Sequence, residues 1–445
     1  MDRAPVNDDH HGMSEPSRTE PLQVVIVGGG IAAIEAVLAL HELAGAHVHV
    51  TLIAPEDDFV LRPLAVVAPF SRGSVDRLPL AQVMEEHTGD FVCAKVVGVD
   101  AEAQLVALDT GGELAYDALV VALGARAVPA FKSVVTFGEE PLALSGILAD
   151  IEQGSSGSVA FVVPGGCSWP LPLYELALMT AEEAWGMNMD RVELHLVTPE
   201  ITPLELFGAE ASAAVVELLE AARITTHLGV SAQVERSGHV GTGAGEELVV
   251  DRVVAVPVLE GRGLDGIPTN ANGFIPVDDA GLVDGLDAVY AVGDATDRPI
   301  KQGGLACQQA DVAAAHIAAR AGADVEVPPL RQVLRGRLLT GERDRFLRRE
   351  DDEAEGAAAD EPLWWPPTKV SGRYLSPYLS AKGIVHLPPH GEQPKPGIEV
   401  HVPLPEQGKR VPGGVLAQSS LRPITPRGAA PPSADARTTE AEHDG

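Results

Sequence analysis

Short, wholly apolar runs recur along the first three quarters of the chain, and most of them end at a glycine or an acidic residue before a segment with helical spacing of apolar positions. Continuous rather than alternating apolar runs are the mark of parallel strands buried on both faces. The first unit reads as a strand Val24 to Val27, a helix from about Ile31 to Leu43 and a strand Val48 to Ile53. Phe91 to Val99 reads as one further strand, and Leu105 to Leu108 with Glu113 to Tyr116 as a hairpin closed on Thr110-Gly111-Gly112. Tyr116-Asp117-Ala118-Leu119-Val120-Val121-Ala122-Leu123-Gly124-Ala125 then reads as an apolar strand that stops at a glycine, the place where a backbone can pass close to a ligand at the carboxyl edge of a parallel sheet.

A second region repeats the theme. Helix Leu142 to Glu152, strand Val159 to Val163, helix Leu171 to Trp185, strand Val192 to Val197 and helix Ala209 to Ala222 succeed one another. Val289 to Val292 returns as a strand, and Leu305 to Arg320 as an alanine-rich helix. From Pro328 to about Ser380 the pattern is mixed and carries an acidic insert, Arg349 to Asp360; from about Pro388 it is polar and rich in proline and glycine, which predicts disorder.

The chemistry concentrates in the first unit. Gly28-x-Gly30-x-x-Ala33 opens the helix directly after its strand. In that setting the first glycine permits the tight turn, the second lets backbone approach a pyrophosphate, and the small third residue lets helix pack on strand. The helix then points its free amides and positive dipole end at the phosphates. Glu56 follows the second strand, where a carboxylate can take a ribose hydroxyl, and Arg62 either reaches an anionic cofactor or makes a surface ion pair.

Composition narrows the class. The 445 residues carry a net charge of −32, which disfavours nucleic acid and anionic lipid as general partners. Three scattered cysteines give neither a disulfide framework nor a metal site and fit a reducing cytoplasm. The polar residues 1–20 read as a disordered leader without an export signal, and no apolar run reaches membrane-spanning length. The aromatic segments Leu363-Trp364-Trp365-Pro366-Pro367 and Tyr374 to Leu379 either rest on a bilayer, giving peripheral contact at the inner face of the membrane, or pack on the body or a partner subunit. The neighbouring acidic insert favours packing.

Taken together, the Gly28-x-Gly30-x-x-Ala33 unit, the Val121-Ala122-Leu123-Gly124-Ala125 strand end and the late Tyr290-Ala291-Val292-Gly293-Asp294 resemble the FAD-dependent pyridine nucleotide-disulfide oxidoreductase superfamily over about residues 22 to 325. Within it the chain resembles the sulfide:quinone oxidoreductase and type II NADH dehydrogenase branch. The resemblance implies an α/β fold of two Rossmann-like dinucleotide-binding domains: a discontinuous FAD domain, 21–136 with 257–325, a middle domain of NAD(P) type, 137–256, and a C-terminal extension, 326–387, before a tail, 388–445. It implies FAD contacts at Gly28, Gly29, Gly30, Ile31, Ala32, Ala33, Glu56, Arg62, Val97, Ala122, Gly124, Gly293, Asp294, Gln302 and Gly304. Asp294 would accept from ribityl hydroxyls. The helix starting near Gly304 would favour negative charge on the flavin's pyrimidine edge, with Lys301 and Gln302 close by.

Two departures bear on function. A nicotinamide-using member needs a second bare glycine turn after Val163, but here Pro164-Gly165-Gly166-Cys167-Ser168-Trp169-Pro170-Leu171-Pro172 places a tryptophan and prolines where amides should donate. Glu175 keeps the family's acidic position, and Glu200 follows the next strand. The sulfide:quinone branch works through cysteines flanking the flavin. Only Cys167 and Cys307 stand at suitable places, as a working pair or as small apolar fillers, while Cys93 reads as core. The expected activity is an FAD-dependent oxidoreductase passing two electrons from a small-molecule donor to an acceptor, plausibly a quinone. The alternatives are an NAD(P)H dehydrogenase and a non-catalytic flavin-binding sensor, and a homodimer is open to each.

Overall fold

The structure is a computed structural model that describes residues 20–72, 77–138, 143–243, 246–351 and 353–384. The expected leader, Glu20 apart, and the expected tail therefore lie outside the described residues. In chain order the elements that position the site are β1 (Leu22–Val27), α1 (Ile31–Ala44), β2 (Val48–Ala54), β3 (Asp90–Cys93), β4 (Ala118–Val121) and β5 (Val135–Thr136). Next come β6 (Ser158–Val162), α2 (Leu171–Gly186), β7 (Glu193–Val197), α3 (Ala209–Ala221), β8 (Thr225–His227) and β9 (Arg252–Ala255). Then follow β10 (Val289–Ala291), α4 (Gly303–Arg320), β11 (Val333–Leu338), β12 (Arg345–Glu350), β13 (Ala357–Ala359) and α5 (Leu375–Ala381).

Two five-stranded parallel sheets result. The first has the order β10-β4-β1-β2-β3 and the second β5-β9-β6-β7-β8. Strand β10 joins β4 in register Tyr290 with Val120, so the first sheet is completed by residues that follow the whole second sheet in sequence. The strands β1, β4, β6 and β9 are almost entirely buried, as their unbroken apolar runs require. Helices α1 and α4 pack on each other over the first sheet, where Ala33, Ala36, Ala310, Ala313 and Ala314 let the backbones approach.

Two local expectations are corrected. The stretch Phe91 to Val99 is not one strand: β3 ends at Cys93, and Val96–Asp100 pairs instead with the Leu105–Leu108 hairpin. Cys93 is exposed rather than core, because it lies at the carboxyl end of an edge strand. The acidic insert borders a sheet. Residues 333–359 form a three-stranded antiparallel sheet, β11-β12-β13, whose Leu334, Leu338 and Leu347 pack into the core of the second region. Of the C-terminal aromatics, Trp364 is buried against Phe346 and Tyr378 hydrogen-bonds Glu86, whereas Trp365 stays 41% exposed. Among the described residues no helix is long and apolar enough to cross a membrane.

Candidate functional site

A cavity of about 960 Å³ runs along the carboxyl ends of the first sheet and reaches the second region and the C-terminal sheet. That size stands at the upper end for a single bound organic ligand. Its floor is the turn between β1 and α1. Gly28 has φ +119°, and a Cβ there would come within 2.3 Å of the Ala122 carbonyl oxygen on β4's end, so both the turn and the close approach require glycine. Gly30 faces open space and stands at the N-cap of α1, whose first amides have no partner within the helix. Glu56 and Asp57, just past β2, line the same cavity and are exposed to it.

The other wall comes from the β10–α4 connection. Asp294 lines the cavity, and burial pushes its carboxyl up to about 6 against the pull of Lys301. Lys301 is buried; its ammonium donates to the Thr296 carbonyl and stands 3.8 Å from the Phe274 ring, and desolvation draws it down to about 8. Gln302 caps α4 by accepting from Leu305 N at 2.8 Å, and Gly303 at the helix start lines the cavity.

The cavity thus gathers Gly28, Gly29, Gly30, Ile31, Ala32, Glu56, Arg62, Ala122, Gly124, Asp294, Lys301 and Gln302. Arg62 makes no ion pair among the described residues. Ala33, Gly293 and Gly304 are not among the lining residues. Ala33 is fully buried between helix and strand, and Gly293 N donates to Gln309 within the packed α4 contact. Val97 is a correction: the alternation along Val96–Asp100 turns Val96 into the cavity and leaves Val97 46% exposed on the other face.

The two candidate cysteines pack in different hydrophobic cores. Cys307 has no exposed surface and lies outside the cavity, in the core beside Glu35 and Asp311; burial and those carboxyls push its thiol far above the ordinary range. Cys167 packs half-buried in the second region, its thiol raised to about 11 by desolvation.

The second region and the C-terminal extension supply a further wall of the cavity from residues that sequence reasoning did not single out: Phe137, Arg335, Gly336, Arg337, Lys369 and Val370. Trp169, Leu171 and Pro172 join them, with Trp169 tilted on Phe207 at 5.7 Å between ring centres. Lys369 makes a fully buried ion pair with Glu175, which also accepts from Leu339 N at 2.9 Å. Desolvation raises the Glu175 carboxyl and lowers the Lys369 ammonium, each opposed by the partner's charge. The alternation Leu334-Arg335-Gly336-Arg337-Leu338, apolar and basic by turns, was the available signal for a one-faced strand presenting two arginines.

An open glycine turn at a helix N-terminus, an acid past the second strand, and a second helix N-terminus facing the same cavity define a dinucleotide-binding site of flavoprotein type, and FAD fits these residues. The chain belongs to the pyridine nucleotide-disulphide oxidoreductase family, whose model matches residues 22–322. It is an FAD-dependent oxidoreductase. Among curated proteins it is similar to an NADH dehydrogenase-like protein of Mycobacterium tuberculosis, 28% identical over 291 residues, or 61% of this chain and 72% of that one. Among solved structures its fold is similar to the sulfide:quinone oxidoreductase of the hyperthermophilic bacterium Aquifex aeolicus (TM-score 0.67, 20% identity, 82% of this chain and 96% of that one). It is also similar to NDH2 from Plasmodium falciparum (TM-score 0.51, 17% identity, 62% and 64%).

Proposed function

We propose that the chain passes two electrons from a small-molecule donor through FAD to a quinone-type acceptor that enters by this further wall of the cavity. One observation carries the reading: the wall of Phe137, Trp169, Leu171 and Pro172 offers a flat apolar ring a place in the same cavity that holds the cofactor cradle. Bound FAD supplies the two-electron chemistry. The chain's residues do the rest. The Gly28–Gly30 turn and the amides of α1 hold the pyrophosphate, Glu56 takes the adenosine ribose and Asp294 the ribityl hydroxyls. The α4 N-terminus and Lys301 set positive potential where negative charge develops on reduction. Lys369, its ammonium fixed by Glu175, keeps a proton at the acceptor's wall of the cavity.

The name of the M. tuberculosis relative favours a second reading, in which NADH is the donor. Against it stands the second turn. Trp169 fills the segment after β6, Pro170 and Pro172 remove amides, and Glu200 is 9% exposed and bonded to Tyr174 Oη at 2.6 Å rather than open to a ribose. Anaerobic titration separates the two readings. NADH is expected to leave the flavin absorbance unchanged, and photoreduced protein to be reoxidised by added naphthoquinone. Rapid bleaching by NADH together with inertness to every quinone would reverse the proposal.

A further inference from the structure

The C-terminal sheet turns one face toward the cavity, and its charges do not balance. Arg335 and Arg337 share that face of β11, and antiparallel pairing sets Arg348 of β12 opposite Arg335. Two of these three guanidinium groups have carboxylate partners: Arg337 bonds Asp344 at 2.6 Å, and Arg348 pairs with Glu350. Arg335 has none. Among the described residues its side chain makes no hydrogen bond and no ion pair, although its Nε is buried. Two other cations that line the cavity are already engaged, Lys369 by Glu175 and Lys301 by the Thr296 carbonyl and the charge of Asp294. The Arg335 backbone is fixed, since its carbonyl accepts from Gln302 Nε2 at 3.2 Å, at the cap of α4.

A guanidinium held partly out of water with no bonded acceptor is a costly arrangement unless an anion arrives to complete it. Desolvation and the neighbouring Arg348 both disfavour its charge in the present surroundings, with Glu350 opposing. Trp169 and Leu171 supply apolar wall in the same cavity.

We propose that Arg335 is a substrate-binding residue that takes a negatively charged substituent, a carboxylate, sulfonate or ionised hydroxyl, on the aromatic molecule exchanging electrons with the flavin. The aromatic part of this assignment rests on the function proposed above; the anion site does not. A planar fork of donors suits such a two-oxygen group better than an ammonium. The negative charge of the reduced flavin itself is the other source that Arg335 could serve, and the experiment distinguishes the two.

The test is calorimetric binding of 1,4-naphthoquinone-2-sulfonate and of neutral 1,4-naphthoquinone to the flavin-loaded enzyme, with Arg335→Met and Arg335→Lys compared. Arg335→Met is expected to weaken the sulfonate by roughly 10- to 100-fold, the scale of a lost charged hydrogen bond, and the neutral quinone by less than about threefold. Arg335→Lys recovers part of the loss, and serves as the working variant should Arg335→Met not load flavin. Equal losses for both quinones, or no loss for either, overturn the proposal. So does a fall in the flavin's midpoint potential in Arg335→Met with sulfonate binding unchanged, which would assign the cation to the flavin. If neither quinone reoxidises the photoreduced enzyme while the sulfonate still binds in an Arg335-dependent way, the acceptor reading fails and the anion site stands.

Discussion

Four strands of each parallel sheet share one order, β4-β1-β2-β3 and β9-β6-β7-β8, and each sheet sends a helix from the end of its central strand, so that α1 follows β1 as α2 follows β6. The correspondence reaches single residues. Glu35 is the fifth residue of α1 and Glu175 the fifth of α2, both have no exposed surface, and each is engaged by the C-terminal extension. The differences lie at the turn and in how the buried charge is answered. The first turn is bare backbone facing the cavity, with Glu56 open beside it; the second is filled by Trp169 and prolines, with Glu200 bonded to Tyr174. Glu35 accepts backbone amides from Tyr374 at 3.0 Å and Leu375 at 2.6 Å and shares a hydrogen bond with Asp311, whereas Glu175 meets the ammonium of Lys369. The same supersecondary unit thus serves once as a nucleotide cradle and once as a wall, and the backbone topology does not decide which.

The sharpest way to break this contrast is to place a methyl group in each turn. Gly28→Ala sets a Cβ 2.3 Å from the Ala122 carbonyl at φ +119°. It is expected to yield colourless protein that has lost at least about 3 kcal/mol in urea unfolding. Gly166→Ala, at φ +76° with no atom within 4 Å, is expected to cost about 1 kcal/mol of backbone strain and to stay yellow. Loss of flavin from both variants would mean that the second turn also holds cofactor.

The buried glutamates give the next largest effect. Lys369→Met strands the Glu175 carboxylate in the core and is expected to destabilise by about 3–5 kcal/mol, while Glu175→Gln with Lys369→Met together should recover most of it. Denaturant midpoints check both. A double variant no more stable than Lys369→Met would show that the ammonium acts through its bond to the Arg337 carbonyl rather than through Glu175.

Which of these features could be read beforehand follows from their physical origin. The strands and helices of both sheets, and the departure at Trp169, are written in local periodicity and in residues that add bulk or remove donors, so the sequence displays them directly. Cys93 and Val97 were misplaced because the chain leaves one sheet for another at the bend Ala94–Lys95, and both residues lie on the exposed side of an alternation that runs through Lys95. The further wall of the cavity depends on β11 returning to α4 through Gln308, which bonds both the amide and the carbonyl of Val333, a pairing across 25 positions that no local pattern encodes. Cys307 looked activated by its place at a helix start; burial beside two carboxyls outweighs the dipole there.

The smallest expected effect separates the two glutamates by how each is neutralised. Burial and the neighbouring Glu35 push the Asp311 carboxyl up to about 9, well above the ordinary carboxylate value near 3.9, and burial raises Glu35 as well, so the two carboxyls share a proton between them near neutral pH. A folded-state value above the unfolded one means that the native chain binds more protons between those limits. The pair's contribution is therefore complete below about pH 4 and is lost as pH rises toward 9. Asp311→Asn supplies the same donor without a proton to lose. Its melting temperature is expected to exceed wild type near pH 8.5 and to converge on it only below about pH 4. Parallel pH profiles for Asp311→Asn and wild type would show that the proton does not reside between Glu35 and Asp311, and the two units would then differ at their turns alone.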